Sequence, residues 1–314
     1  MDIDKKFLDQ FIKTTERAAY GAFLHKGKGD KIAADQASVD EMRKQLNLIE
    51  MRGKIVIGEG ELDEAPMLYV NEKVGLNKGI SLDIAVDPLE GTNFAAKNLP
   101  NALSVLAVTT KGNLLNAPDM YMNKIAIGAN LPKNLVDLDY SVEENIKLLA
   151  KAKSITPDKL TACVMQRERH KNIINSLNSM GVKINFITDG DVSGVISVGD
   201  PDKNIDIFFG IGGAPEGVLA AAALSCMDCQ MQARLVFEDK EQELKAKMLG
   251  LKDLNKKYYL NDIVNGDVIF CATGVTDGDF VNGIKDLGDY FQAETLVMHK
   301  SMKINKVLKN KIKK

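Results

Sequence analysis

The residues best suited to chemistry in this sequence are acids that follow two strand-like segments. One group comes directly after the apolar run 54–57, and Asp87 and Glu90 come after the run 81–86. If the two strands are neighbours in one sheet, these carboxylates converge at one edge, where they repel one another unless protons or cations intervene. Hard divalent cations prefer oxygen ligands of this kind. The acids after the first run are Glu59, Glu61 and Asp63.

The segment Asp87-Pro-Leu-Glu-Gly-Thr92 is the most informative part of this acidic region, which carries eight carboxylates and two lysines between residues 59 and 90. Pro88 fixes the turn and Gly91 relieves it. Two acids three residues apart can hold one ion, with the Leu89 carbonyl as a further oxygen and the Thr92 hydroxyl beside it. This spacing favours a metal site. The alternative is an acidic loop in which Thr92 caps the next helix.

Composition limits the classes of protein that could carry such a site. The chain has 314 residues, of which 45% are hydrophobic and 27% charged, which is typical of a folded globular protein of one or two domains. The longest uncharged stretch, 98–110, is 13 residues, and a membrane helix needs about 20. The N-terminus lacks the pattern of a secretory signal. With a net charge of −2, we expect no nucleic-acid or membrane partner.

Apolar periodicity predicts an α+β first half and an α/β second half. Two helices open the chain, over 7–24 and around Val39–Ile49, and four strand patterns follow at 54–57, 81–86, 101–109 and 124–128. From residue 142 helices and strands alternate, which favours a mainly parallel sheet. We therefore expect a metal-binding domain over 1–130 and a substrate-binding domain over 131–314, closely packed, with the site between them. The lysine-rich tail 300–314 favours a solvated helix face over a partner-binding tail.

Three further motifs suggest other chemistry but match it poorly. Cys226 and Cys229 form a CxxC without the second pair or histidines that a zinc site needs, so reduced cytosolic thiols are expected. The turn 210–213 partly matches a dinucleotide-binding turn, but Pro215 replaces its third glycine and Glu216 would face the pyrophosphate. A carboxylate at a helix N-terminus is better placed to hold a metal. The segment 189–194 imitates a calcium loop, yet a strand precedes it.

Four longer motifs carry a resemblance to a known family. They are 57–69 (IGEGELDEAPMLY), 83–92 (DIAVDPLEGT), 116–122 (NAPDMYM) and 210–217 (GIGGAPEG). Together they resemble the GlpX-type, class II fructose-1,6-bisphosphatases, within the lithium-sensitive, inositol-monophosphatase-like sugar phosphatases, and the similarity runs from about Phe7 to Val297. Motifs of this length are specific.

The resemblance implies a layered αβαβα sandwich of two sheets. It implies hydrolysis of D-fructose 1,6-bisphosphate to fructose 6-phosphate and phosphate in gluconeogenesis. It further implies Mn²⁺ or Mg²⁺ as cofactor, inhibition by lithium, and a bacterial, cytoplasmic enzyme that forms a dimer or tetramer.

Carried over position by position, the resemblance also assigns roles to individual residues. Without it, Asp35 would be interpreted as a helix N-cap and Glu59 as a solvated turn residue. Thr92, with Asp63 as its partner, matches the position that orients and activates the attacking water. The positions of the family's metal ligands are Asp35, Glu59, Asp87, Glu90 and Glu216.

The substrate positions implied by the resemblance include a departure from the family pattern. The family usually has Lys-Pro-Arg where this chain has Arg167-Glu168-Arg169, which keeps the first charge but changes its geometry and adds an acid beside the expected phosphate. The alternative for the two arginines is a salt-bridged helix start. The matching substrate positions are Glu90, Gly91, Thr92, Tyr121, Arg167, Arg169, Asp189, Gly190, Asp191 and Gly213.

Alternatives to this function remain open in the sequence. The substrate could be sedoheptulose 1,7-bisphosphate, or both bisphosphates. The enzyme could instead be an inositol-monophosphate or nucleotide phosphatase. The paired arginines argue against this alternative, because such an enzyme has no second phosphate to bind. A non-catalytic sugar-phosphate-binding regulator would not require the Thr92–Asp63 pair. A dinucleotide oxidoreductase would have to bind NAD.

Overall fold

The computed structural model describes residues 2–60, 67–248 and 250–314, which form a mixed α/β fold. Within these residues the helices are α1 (Lys6–Phe23), α2 (Lys31–Leu46), α3 (Thr92–Lys97), α4 (Val142–Ala152), α5 (Lys171–Ser179), α6 (Asp191–Ile196), α7 (Ala214–Cys226), α8 (Lys240–Met248) and α9 (Leu260–Ile263). The strands are β1 (Arg52–Ile57), β2 (Lys73–Val74), β3 (Ser81–Glu90), β4 (Leu103–Thr110), β5 (Tyr121–Ile127), β6 (Thr161–Met165), β7 (Lys183–Ile187), β8 (Ile207–Gly213), β9 (Gln230–Val236), β10 (Tyr258–Tyr259), β11 (Val268–Gly274), β12 (Lys285–Leu287), β13 (Tyr290–His299) and β14 (Ile304–Lys313).

The chain divides into two compact units. The first unit comprises Met1–Leu115 and Asn265–Lys314, and the second comprises Asn116–Val264. This division differs from the predicted boundary at residue 130, and it returns the C-terminal segment to the first unit. The reason is strand pairing: β11 pairs with β4, and β13 and β14 follow β11 in the same sheet.

Helices α1 and α2, both predicted from apolar spacing, pack against each other in the first unit. Both helices direct apolar side chains into one core that also contains the inner residues of β1, β3 and β4. The contact between the helices is close at Gly21, where a Cβ atom would lie 2.5 Å from the Ala37 carbonyl oxygen. Asp30 caps α2 by accepting a hydrogen bond from the Ala33 N–H at 3.0 Å.

The first sheet has the strand order β12-β13-β11-β4-β3-β1-β2, with β14 on the outer side of β13. Strands β1 and β3 are parallel neighbours, in register from Arg52 opposite Ser81. The two strands that precede the acids are therefore neighbours in one sheet, which is the condition for the acids to converge. The strand ends that carry the acids lie at the same edge of the sheet.

The predicted helix at the lysine-rich tail is wrong, because these residues form strand β14, antiparallel to β13 over ten residue pairs. Every second side chain towards the end of the strand, at Leu308, Asn310 and Ile312, is half-buried, while the lysines between them are exposed. This period of two is typical of a strand with one covered face. Lysines on an edge strand also hinder pairing with another chain.

The second sheet has the order β10-β9-β5-β8-β6-β7. Strand β6 is parallel to β7 and β8, but β5 is antiparallel to both β8 and β9. The predicted mainly parallel sheet is therefore wrong in this respect. The β–α alternation after residue 142 is real, but β5 precedes it in the chain and inserts between two of its strands. Among the described residues, no helix is long and apolar enough to cross a membrane.

Candidate active site

The Asp87–Glu90 segment forms a bulge in strand β3. Asp87 lies opposite Val105 of β4 and Glu90 lies opposite Leu103, so that β3 carries one extra residue between these pairs. An extra residue of this kind bends the strand and redirects its side chains. The Asp87 carboxylate accepts a hydrogen bond from the Leu89 N–H at 3.1 Å, and Glu90 is only 6% exposed. The bulge thus brings an acidic pair to the edge of the sheet.

The backbone turns from the bulge directly into helix α3 at Gly91. Gly91 has φ 78°, a left-handed conformation that glycine adopts without strain, and it occupies the N-cap position. Thr92 is therefore the first residue inside the helix, and the alternative in which its side chain caps α3 is wrong. Thr92 is half-buried and follows Glu90 by two positions.

Helix α2 presents Asp35 on the face that packs against the bulge. Ser38, one helical turn after Asp35 and on the same face, places its hydroxyl 2.5 Å from the Pro88 carbonyl oxygen. Because Asp30 caps the helix, the N-cap interpretation of Asp35 is wrong. Burial raises the pKa of the Asp35 carboxyl, and a nearby cation would favour its ionised form.

Glu59 follows β1 in a segment held by two backbone hydrogen bonds. Its N–H donates to the Leu68 carbonyl at 3.0 Å, and the Val70 N–H donates to the Gly60 carbonyl at 2.9 Å. The side chain of Glu59 is half-buried, so it is not the fully solvated turn residue of the alternative interpretation. Asp63 lies outside the described residues, and its pairing with Thr92 stays a prediction.

In the second unit, a buried lysine organises residues that the sequence assigned to the sugar. Lys124 of β5 is 0% exposed. Its ammonium group donates to the Asp191 carboxylate and to the Gly213 carbonyl at 2.9 Å. Sequence reasoning missed Lys124, although a lysine in the apolar segment Met122–Ile127 is a signal, because a buried lysine requires a partner.

Two glycines of the GIGG motif leave room for carboxylates. A Cβ atom on Gly212 would lie 2.5 Å from Asp191 Oδ2, and one on Gly213 would overlap Glu216 Oε2. Glu216 lies in the first turn of α7, where the helix dipole favours negative charge. Burial nevertheless raises the pKa of Glu216, an effect that Lys124 opposes and Asp191 reinforces.

The arginine loop after β6 is held by His170. The buried His170 ring places Nδ1 2.7 Å from the Met165 carbonyl oxygen, and Nε2 accepts from the Ile211 N–H at 2.8 Å. These partners assign the neutral tautomer with its proton on Nδ1, and burial lowers the pKa of His170. The loop is thereby tied to the neighbouring strand β8.

Within this loop, Arg169 lies against Tyr121, another residue predicted to bind substrate. The Arg169 guanidinium is 4.7 Å from the centre of the Tyr121 ring, and its Nε donates to the Ile211 carbonyl at 2.8 Å. The Glu168 side chain is 87% exposed and pairs with Lys171 at 3.2 Å. The ion pair at this helix start therefore involves Glu168 rather than Arg167 or Arg169.

The predicted Asp189-Gly190-Asp191 segment forms the turn that enters α6. Gly190 has φ 80° and caps the helix, and Asp189 is half-buried. The segment 191–196 is helical, so the calcium-loop interpretation is wrong. Likewise, β8 runs through Gly213 directly into α7, which places the supposed dinucleotide glycines in a strand.

The donor set fits hard divalent cations. The five predicted ligands, Asp35, Glu59, Asp87, Glu90 and Glu216, are all carboxylates. The buried Glu90 and the raised pKa values of Asp35 and Glu216 mark positions where a cation would offset the cost of burying charge. Over residues 2–60, 67–248 and 250–314, no three His, Cys, Asp or Glu side chains form a group that could hold a metal ion.

Comparison with known proteins decides the family. A family model described as bacterial fructose-1,6-bisphosphatase, glpX-encoded, matches residues 5–312. The chain belongs to this family. The resemblance predicted from the four motifs is thereby confirmed over nearly the full chain.

Individual relatives agree with the GlpX assignment. The class 2 fructose-1,6-bisphosphatase of Haemophilus influenzae is 44% identical over 313 residues, covering 95% of this chain and 93% of that protein. A Synechococcus protein named D-fructose 1,6-bisphosphatase class 2/sedoheptulose 1,7-bisphosphatase is 41% identical over 323 residues, covering 94% and 92%. An inositol monophosphatase structure from Anabaena has 11% identity and a TM-score of 0.33 over 62% of this chain and 71% of that one, a similarity too low to bear on the assignment.

Proposed function

We propose that this GlpX-family chain hydrolyses D-fructose 1,6-bisphosphate to fructose 6-phosphate and phosphate. The observation that supports this most strongly is the β3 bulge. In this member of the family, Asp87 and Glu90 lie in the bulge, and the Gly91 turn and Thr92 follow directly. Hydrolysis of a phosphate monoester is extremely slow without a catalyst, and an acidic edge of this kind suits metal-assisted attack by water.

The residues that would hold Mn²⁺ or Mg²⁺ are Asp35, Glu59, Asp87, Glu90 and Glu216. A bound divalent cation acidifies water and neutralises charge on the phosphoryl oxygens. The Thr92 hydroxyl would orient the attacking water and relay its proton to the Asp63 carboxylate. Gly91 lets the backbone turn beside the reacting phosphate without strain.

A further set of predicted residues would hold the sugar and the phosphate that does not react. Arg167 and Arg169 would bind that phosphate, since guanidinium groups suit phosphate oxygens. Asp189 and Asp191 would accept hydrogen bonds from sugar hydroxyls, and Tyr121 would support Arg169. Gly190 and Gly213 would leave room for the backbone to approach the sugar phosphate.

A second substrate is favoured by a specific observation. The Synechococcus relative carries both bisphosphatase activities in its name, so sedoheptulose 1,7-bisphosphate is the second candidate.

We further propose inhibition by lithium, a role in gluconeogenesis and assembly as a dimer or tetramer. We also propose that the protein is located in the bacterial cytoplasm. The four cysteines of the chain are free thiols, as is typical of cytoplasmic proteins.

The role of Thr92 provides a direct test of this proposal. We expect Thr92→Ala to lower kcat by about a hundredfold or more, because the group that positions and deprotonates the water is removed. Far-UV circular dichroism and the melting temperature should stay unchanged. Asn93→Ala, an exposed residue on the same helix, is the matched control and should retain full activity. A kcat within about threefold of wild type in Thr92→Ala would overturn the assigned role.

A further inference from the structure

A basic recess of about 730 Å³ lies in the first unit, at the β2 edge of its sheet. It is formed by the first residues of β1 and β3, by β2, and by the turn after β4. Its volume falls in the range of pockets that hold small metabolites. The polar and charged side chains that line it include Arg52, Lys54, Lys73, Lys111, Ser81 and Asp83.

Strand register places like charges directly opposite one another in this recess. Lys54 of β1 lies opposite Lys73 in the antiparallel β1–β2 pair, and residues so paired point to the same face. Both side chains are exposed. Two lysines in this arrangement repel each other, and like-charged cross-strand pairs destabilise a sheet. An anion bound between them would relieve the repulsion.

The cations that line the recess outnumber its acids, four to one. Within the described part of the chain, neither Arg52 nor Lys54, Lys73 or Lys111 belongs to a salt bridge. Arg52 instead donates from Nε to Ser81 Oγ at 3.1 Å. The single carboxylate, Asp83, is 5% exposed and accepts from the Gly112 N–H at 2.6 Å. Asp83 lies opposite Lys54 in the β1–β3 pair, and Lys54 and Lys111 oppose the rise in its pKa that burial causes. One carboxylate that is also engaged with the backbone thus faces four cations.

The recess is separate from the candidate active site. Asp83 is the recess residue of β3 that lies nearest to the bulge, and the four residues of extended strand from Asp83 to Asp87 span about 13 Å. The recess residues come from one end of the parallel β1–β3 pair, and the acidic bulge comes from the other. A ligand in the recess would therefore not touch the residues assigned to hydrolysis.

We propose that this recess binds a small metabolite through its phosphoryl groups. The chemistry that recognises it is the convergence of three lysines and one arginine on a concave, solvent-accessible surface with Ser81 as an additional hydroxyl donor. Phosphoryl oxygens accept charge-assisted hydrogen bonds from such groups, and the metabolite replaces water between Lys54 and Lys73. This inference does not depend on the proposed hydrolytic function.

The test is calorimetric titration of the full chain with inorganic pyrophosphate, in EDTA so that divalent cations play no part. We expect Lys54→Gln/Lys73→Gln to weaken binding by about tenfold or more. The double variant Lys13→Gln/Lys306→Gln removes two exposed lysines elsewhere in the first unit and should bind as wild type does. Arg167→Gln/Arg169→Gln should also bind normally, which separates the recess from the substrate arginines.

Equal affinity in Lys54→Gln/Lys73→Gln and wild type would overturn the proposal, as would loss of binding only in Arg167→Gln/Arg169→Gln or no binding at all. A second variant guards against misfolding. Lys73→Gln removes the repulsion but keeps Lys54 beside Asp83, so without pyrophosphate it should melt no lower than wild type. Pyrophosphate should also raise the melting temperature of Lys73→Gln by less than it raises that of wild type. An increase as large as that of wild type would contradict the assigned site.

Discussion

Lys124 offers the sharpest prediction about how the second unit is held together. Lys124→Met keeps most of the length of the side chain but removes its ammonium group. The Asp191 carboxylate, 7% exposed, and the Gly213 carbonyl would then lose a donor inside the protein. Breaking a buried ion pair by removing one partner typically costs about 3–5 kcal/mol. We therefore expect Lys124→Met to lower the free energy of unfolding by about that amount.

The magnitude can be checked with a double-mutant cycle. Lys124→Met/Asp191→Leu removes both charges, and replacing a whole buried pair by apolar residues is often close to neutral. The double variant should be more stable than the sum of the two single changes by about 2 kcal/mol or more. Lys151→Met, at an exposed position at the end of α4, is the matched control and should change stability by less than about 0.5 kcal/mol.

Urea unfolding followed by far-UV circular dichroism is the appropriate assay, because the chain contains no tryptophan. A Lys124→Met variant within about 1 kcal/mol of wild type would refute the reasoning, since a lysine that costs so little to remove cannot be satisfying Asp191 and Gly213. Additive single and double changes would refute it independently.

Two further predictions concern other parts of the fold. Glu16 is 3% exposed and accepts from the Asn310 amide at 2.7 Å, and burial raises the pKa of Glu16 to about 7. The stability gained by keeping Glu16 protonated is present below its ordinary pKa and is lost as the pH rises through about 7. Glu16→Gln should therefore raise the melting temperature at about pH 8.5 and much less at about pH 5. The corresponding gain in the free energy of unfolding should differ between the two pH values by up to about 3 kcal/mol. An equal effect at both pH values would contradict this. Gly213→Ala places a Cβ atom against Glu216 Oε2, so it should weaken activation by Mn²⁺ or Mg²⁺ by about tenfold or more, as measured by metal titration of activity; an unchanged metal requirement would argue against Glu216 as a ligand.

Local patterns predicted the elements that carry the first group of acids. Apolar spacing predicted α1 and α2, and the runs at 54–57 and 81–86 are the strands β1 and β3. The sequence predicted the convergence of Glu59 and Asp87 only on the condition that these strands are neighbours, and the parallel β1–β3 pair meets that condition. The side-chain chemistry of this part of the candidate site was therefore accessible from sequence.

The errors arose where distant residues decide the structure. The period of two at Leu308 and Ile312 was hidden by the lysines around it, and only pairing with β13 makes the tail a strand. The antiparallel insertion of β5 depends on β8 and β9, about 80 to 110 residues further along the chain. Lys124 was missed for the same reason, since Asp191 is 67 residues away and no local pattern links them.

The measurement that tests the central claim most directly is phosphate release from D-fructose 1,6-bisphosphate by the purified full chain. It should be made with Mn²⁺, with Mg²⁺ and with EDTA, with Thr92→Ala as the inactive reference. We predict rapid release with at least one of the two metals, abolished by EDTA and by Thr92→Ala. No release with either metal, or release that continues in EDTA, would contradict metal-assisted hydrolysis of this substrate.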